Sequence, residues 1–156
     1  MQPGGVSLFV CLALATGLGT WYLHSRVPDN QWRLADATGQ RSMDEDRYGE
    51  AERHFTMAVE AARVFGDRDH RLGLSLYHLA QALVAQSKYS EALPFLERSV
   101  LIHENALGIR HPDVALLLED HAAVLRKLDR TAEAEVVAHR AAMIRSLLNQ
   151  AENKVR

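Results

Sequence analysis

Glu50-Ala51, Glu91-Ala92 and Glu133-Ala134 sit inside near-copies of one segment, spaced 41 and 42 residues apart. Upstream of the second and third pairs a further stretch recurs: LYHLAQALVAQSKY (76–89) reappears 42 residues later as LEDHAAVLRKLDRT (118–131). Within it Leu76, Leu79, Ala80 and Leu83 correspond to Leu118, His121, Ala122 and Leu125. Offsets of three and four place such side chains on one helical face. A fixed period of this length is the mark of a solenoid, in which each unit buries its apolar face only against a neighbour.

Each unit reads as a helix A, a tight turn and a helix B. The pattern predicts helices over 31–45 and 47–65, then 71–86 and 89–106, then 113–128 and 131–153. The connectors agree. Gly108 suits a helix C-terminus and Pro112 a first helical turn, where its missing N–H would be unpaired. Gly66 and Asp69 take the same parts one unit earlier. Alanines 51, 92 and 134 let helices A and B approach closely. Leu96, Val100 and Ile102, with Ala138, Ala142 and Ile144, are expected in the seams between units.

These residues resemble the tetratricopeptide repeat. The small residue at 51, 92 and 134 follows an aromatic-x-Glu in two of three units, and L-x-x-[LH]-A-x-x-L marks helix A. The period and the stretch ERSVLIHENALGIRHPDVALLL resemble the longer repeats of kinesin light chains and their bacterial relatives. The first unit departs most: Trp32, Gly39, Tyr48 and Ala51 match, but Ser42 and Met43 stand where bulky apolar residues are expected. The resemblance implies an all-α solenoid of three repeats and six helices, with repeats over 31–66, 71–108 and 113–153 in a domain spanning 31–156.

It also implies a right-handed superhelix whose concave face, lined by the A helices, binds peptides or partner domains. Carried over position by position, that groove takes Arg33, Asp36 and Gln40 from the first unit. The second supplies Leu74, Tyr77, His78 and Gln81. The third supplies Leu116, Glu119, Ala123 and Arg126, with Lys127 nearby. Acidic residues occupy positions where some relatives grip a chaperone's C-terminal carboxylate, which disfavours that ligand. The last helix carries a second candidate surface, since Met143, Ile144, Leu147 and Leu148 form a broad stripe with no fourth repeat to cover all of it.

Ahead of the repeats, residues 6–23 run VSLFVCLALATGLGTWYL without a charge. Val6, Leu8, Phe9, Val10, Leu12, Leu14 and Leu18 supply the apolar run. Leu23 ends it, just after Trp21 and Tyr22, whose rings suit a headgroup layer. Eighteen residues approach bilayer thickness. The expectation is therefore one transmembrane anchor within residues 1–26 and a linker over 27–30, broken by Pro28. The alternative is an exported module cleaved near Gly19. An ordinary core helix is disfavoured because the run has no polar side. Arg26 and Arg33 follow the run and no basic residue precedes it, which places the repeats on the cytoplasmic side. Large domains also cross regardless of charge, so the extracytoplasmic side stays open.

Net charge is −2, with acids and bases interleaved, so nothing points to nucleic acid. Eight histidines raise the question of metal. None has the i, i+4 spacing of a helical zinc site, and HEN at 103–105 lacks the second histidine of H-E-x-x-H. Nucleophile elbows and phosphate loops are missing. His121, at a usually apolar position, is expected to be buried and hydrogen-bonded. The reading is a non-enzymatic, membrane-anchored scaffold, an accessory or assembly subunit of a membrane complex. It has no cofactor, no metal, no small-molecule substrate and no nucleic acid. Its partners are proteins of the same membrane and, through the anchor, the bilayer.

Overall fold

The computed structural model describes residues 28–155, which form six α-helices and no strand among the described residues. Helix α1 covers 28–44, α2 Tyr48–Ala62 with a 3-10 turn Arg63–Phe65, and α3 His70–Ala85. Then come α4 Tyr89–Leu107, α5 Pro112–Lys127 and α6 Thr131–Val155. Short turns fold successive helices back on one another, and α2 to α6 each pack on the next.

The turns inside the three units are built alike. Asp46, Ser87 and Asp129 each hold a left-handed φ of 56°, 61° and 58°. The residue after each returns its N–H to a carbonyl five positions earlier: Arg47 to Ser42, Lys88 to Leu83 and Arg130 to Leu125. Short polar side chains tolerate this conformation better than branched ones. Between units the chain uses glycine. Gly66 and Gly108 adopt φ of 102° and 93° with extended ψ, a region closed to other residues. Asp69 then caps α3 by accepting from the Arg71 N–H, and Pro112 follows the capping His111 at the start of α5.

The core runs continuously through the stack. Phe55, Leu72, Leu76, Leu96 and Leu125 are fully buried, as are Ala51, Ala92 and Ala134. Ser42 is buried too, whereas Met43 is half-buried. Close approach of α1 to α2 depends on Gly39, where an added Cβ would fall 2.5 Å from the Phe55 ring.

The structure corrects several expectations. Residues 28–30, expected as linker, are helical, because proline fits a first helical turn. Asp29 thus lies within α1. It pairs with Arg33 one turn on (3.1 Å) and with Arg71 of α3 (2.9 Å). In α6 the seam is made by Ala141 and Ile144, while Ala142 is exposed and Ala138 half-buried. Ile144 thus belongs to the core and not to a docking patch. Val6 to Leu23, the expected anchor, lie outside the described residues. Among the described residues no helix is long and apolar enough to cross a membrane.

Candidate partner-binding groove

Helices α1, α3 and α5 lie side by side and are joined by hydrogen bonds that step one repeat length along the chain. Arg71 of α3 reaches Asp29 of α1 and also clasps Asp69, with its guanidinium 3.4 Å above the Phe65 ring. Trp32 Nε1 donates to Ser75 Oγ at 2.8 Å, and Ser75 donates to the Arg71 carbonyl. His78 Nδ1 lies 2.8 Å from Asp36 Oδ1. Tyr77 Oη donates to Asp120 Oδ2 of α5 at 2.7 Å. Burial, and then this bond to Asp120, push the Tyr77 phenol far above its ordinary pKa, so it stays a donor.

Three of the groove residues expected from sequence are thus tied to neighbouring A helices. Asp36 holds His78, and Tyr77 holds Asp120. Their polar groups set the spacing of the helices and are already partly spoken for. Arg33 is exposed and pairs with Asp29. Gln40 and Leu74 are half-buried, and Leu116 and Arg126 are exposed. Glu119 turns to the last helix, where Arg145 grips it with two hydrogen bonds of 3.0 and 3.2 Å and holds its carboxyl below the usual range.

Gln81 and Ala123 do line a cavity, together with residues that sequence reasoning passed over. Between the C-terminal halves of α3 and α5 an open cavity of about 410 Å³ has a floor of Met43, Val84, Tyr89 and Val124. Its rim carries Gln81, Asp120 and Lys127. An apolar floor with a few polar groups at the mouth suits one apolar anchor side chain flanked by charge. Asp120 was detectable in principle: it stands 43 residues after Tyr77, the same interval as Trp32 and Ser75.

The family model described as tetratricopeptide repeat matches residues 42–100 and 73–142. The chain belongs to the tetratricopeptide repeat family. No curated protein sequence matches it. Among solved structures, the crystal structure of the TPR domain of Arabidopsis FLU is similar in fold, with a TM-score of 0.65 at 17% identity. That alignment covers 79% of this chain and 98% of the FLU domain. The tetratricopeptide fold is an all-α protein-interaction scaffold.

Two histidines depart from the ordinary repeat core. His103 is buried, with Nδ1 2.8 Å from the Ser99 carbonyl, while Ser99 Oγ donates to the Gly73 carbonyl. His121 was expected to be hydrogen-bonded. Its Nε2 is instead buried without a partner, 3.8 Å from the Glu97 carboxylate. Its counterpart in α3 is Leu79. Burial lowers both imidazole pKa values below 6.5, with Glu97 partly opposing the shift at His121.

The unfolded chain therefore binds protons at these sites before the folded protein does. The stability these two sites contribute is present above the unfolded value of about 6.5 and falls as pH drops from there through the depressed folded values. His121→Leu should raise the urea midpoint at neutral pH, by about 1–2 kcal/mol in unfolding free energy, because it removes an unsatisfied buried polar atom. It should also soften the acid decline. An unchanged midpoint and pH profile would show that Nε2 has a partner in solution. Among the described residues no group of three or more histidine, cysteine or acidic side chains is placed to hold a metal ion.

Proposed function

We propose that this protein is a non-catalytic interaction scaffold that takes a peptide or protein loop in the cavity between α3 and α5, and that residues 6–23 hold it at a membrane. The observation that carries the reading is the cavity itself, with its floor of Met43, Val84, Tyr89 and Val124 beneath a rim of Gln81, Asp120 and Lys127. The occupant inserts one medium-sized apolar side chain and carries charges of both signs beside it. The repeat length supports a place among kinesin-light-chain-like arrays. The uncharged run at 6–23 supports a single-pass anchor and so an accessory or assembly subunit of a membrane complex. Tethering raises local concentration, so modest groove affinity suffices there.

The test is purification of the tagged full chain in mild detergent, followed by a native gel and mass spectrometry of whatever migrates with it. Ala123 is exposed on the cavity wall, so Ala123→Trp should fill the mouth without disturbing the core. Recovery of the partner should fall about tenfold or more, equivalent to about 1.4 kcal/mol of lost affinity. Undiminished recovery would place the binding surface elsewhere. Replacing residues 6–23 with another anchor should preserve the association. A mature N-terminus near Thr20 in the intact mass would replace the anchored scaffold with an exported one.

A further inference from the structure

The N-terminal end of the stack carries an open apolar groove. Helices α1 and α2 border a space of about 750 Å³ lined by Leu34, Met57, Ala61 and Val64, with Gln31 and Glu60 also in its wall, and reaching Pro28. Leu34, Met57 and Val64 are 71%, 59% and 66% exposed. The corresponding positions further along the stack are covered. When α1 and α5 are aligned in sequence through the turn residues Asp46 and Asp129, Gln31 falls on Val114 and Leu34 on Leu117. Val114 is fully buried and Leu117 is 2% exposed, in one cluster with Val100 of α4, the helix that precedes α5. In α3 the matching Leu72 and Ser75 are fully buried, Ser75 beneath Trp32 of α1, and α2 packs on that helix from the preceding unit. The face of helix A that receives the preceding helix B is thus filled twice and open once.

The chain ahead of α1 has the ending and the length of a helix B. Leu23-x-x-Arg26-x-Pro28-Asp29 repeats, two periods earlier, the Leu107-x-x-Arg110-x-Pro112-Asp113 that joins α4 to α5. There α4 ends at Leu107 and α5 begins at Pro112. Residues 6–23 number eighteen and α4 nineteen. Pro28, where the described chain begins, itself lines the groove, so the segment emerges beside its seat.

We propose that residues 6–23 seat in the α1/α2 groove as the missing helix B whenever no bilayer is at hand to take them. Groove and bilayer then compete for one segment. The groove covers one side of an uncharged run, whereas a bilayer covers it all round, so the bilayer prevails where present. Insertion uncovers Leu34, Met57 and Val64 at the membrane surface. Only this release arm rests on the anchoring reading given above.

In the register that sets Leu23 on Leu107, Ala13 falls on Glu97, which lies 3.8 Å from His121 of α5, and Thr38 falls on His121 through the turn residues Asp46 and Asp129. A cysteine at position 13 therefore makes the seat testable, with Cys11→Ser and Ala13→Cys combined as the common background. Thr38→Cys, Val64→Cys and, on the exposed face of α6, Val136→Cys would be made in the full chain. Each would be translated cell-free and oxidised with diamide, with or without phosphatidylcholine–phosphatidylglycerol vesicles. Without vesicles, Thr38→Cys should form the intramolecular disulfide several-fold faster than Val64→Cys or Val136→Cys. Rates for Thr38→Cys no higher than for Val136→Cys, or highest for Val64→Cys, would overturn the seat. With vesicles the bond should be lost as the chain floats with them. Flotation without any cross-link in either condition would leave the anchor standing and remove the seat. A cross-link that vesicles leave unchanged, in a chain that does not float, would establish the seat and remove the anchor.

Discussion

Phe55→Ala should lower the unfolding free energy by about 3–5 kcal/mol, the usual cost of emptying a fully buried aromatic site. Phe55 is completely buried, with its ring 5.2 Å from that of His78 and against the backbone at Gly39. At the positions matching Gly39 and Phe55 the second unit has Ala80 and Leu96, both buried, and the third has Ala122 and Ala138. A compensating pair follows. Gly39→Ala alone should destabilise by about 1–3 kcal/mol through overpacking, despite the better helix propensity of alanine. Combined with Phe55→Leu it recreates the pair already present in the second unit, so the double variant should be more stable than the two single effects sum to. Urea unfolding followed by helical circular dichroism measures all four proteins. Additive effects would mean that α1 and α2 separate enough to accommodate the methyl, and the close approach would not govern this unit.

Leu76→Ala should cost about 2–5 kcal/mol and should lower the whole unfolding transition together. Leu76 is 1% exposed in α3, the helix that packs on both α2 and α4. In a stack stabilised by nearest-neighbour interfaces, loss in the central unit weakens both interfaces at once. Ile144→Ala removes a buried side chain from α6, the last of the described helices. Its effect should appear first as faster amide exchange in α6, with α2 to α4 little changed. Equal loss of protection throughout the chain from Ile144→Ala would show that the three units unfold as one block.

The elements were legible because their signals are local. Turn residues and glycines mark every connection, and the apolar spacing of helix A is plain in the second and third units, whereas in the first Thr38 and Ser42 stand at two of its positions. Leu96, Val100, Ile102 and Ile144 were placed in the seams from spacing alone and are buried. Errors arose where one residue decides a face. Neighbours on a helix point about 100° apart. Ala142 was expected in the seam, but Ala141 occupies it; Met143 is exposed while Ile144 is buried. Glu119 was assigned to the groove, yet it faces Arg145, and Asp120 receives Tyr77.

Helix number, order and turn chemistry followed from the sequence by itself, because they depend on side chains within a few positions of one another. The A-helix ladder, the cavity between α3 and α5, and the open face at Leu34, Met57 and Val64 were decided only by tertiary structure. They depend on the phase at which whole helices meet across a repeat length, and no local pattern sets that phase.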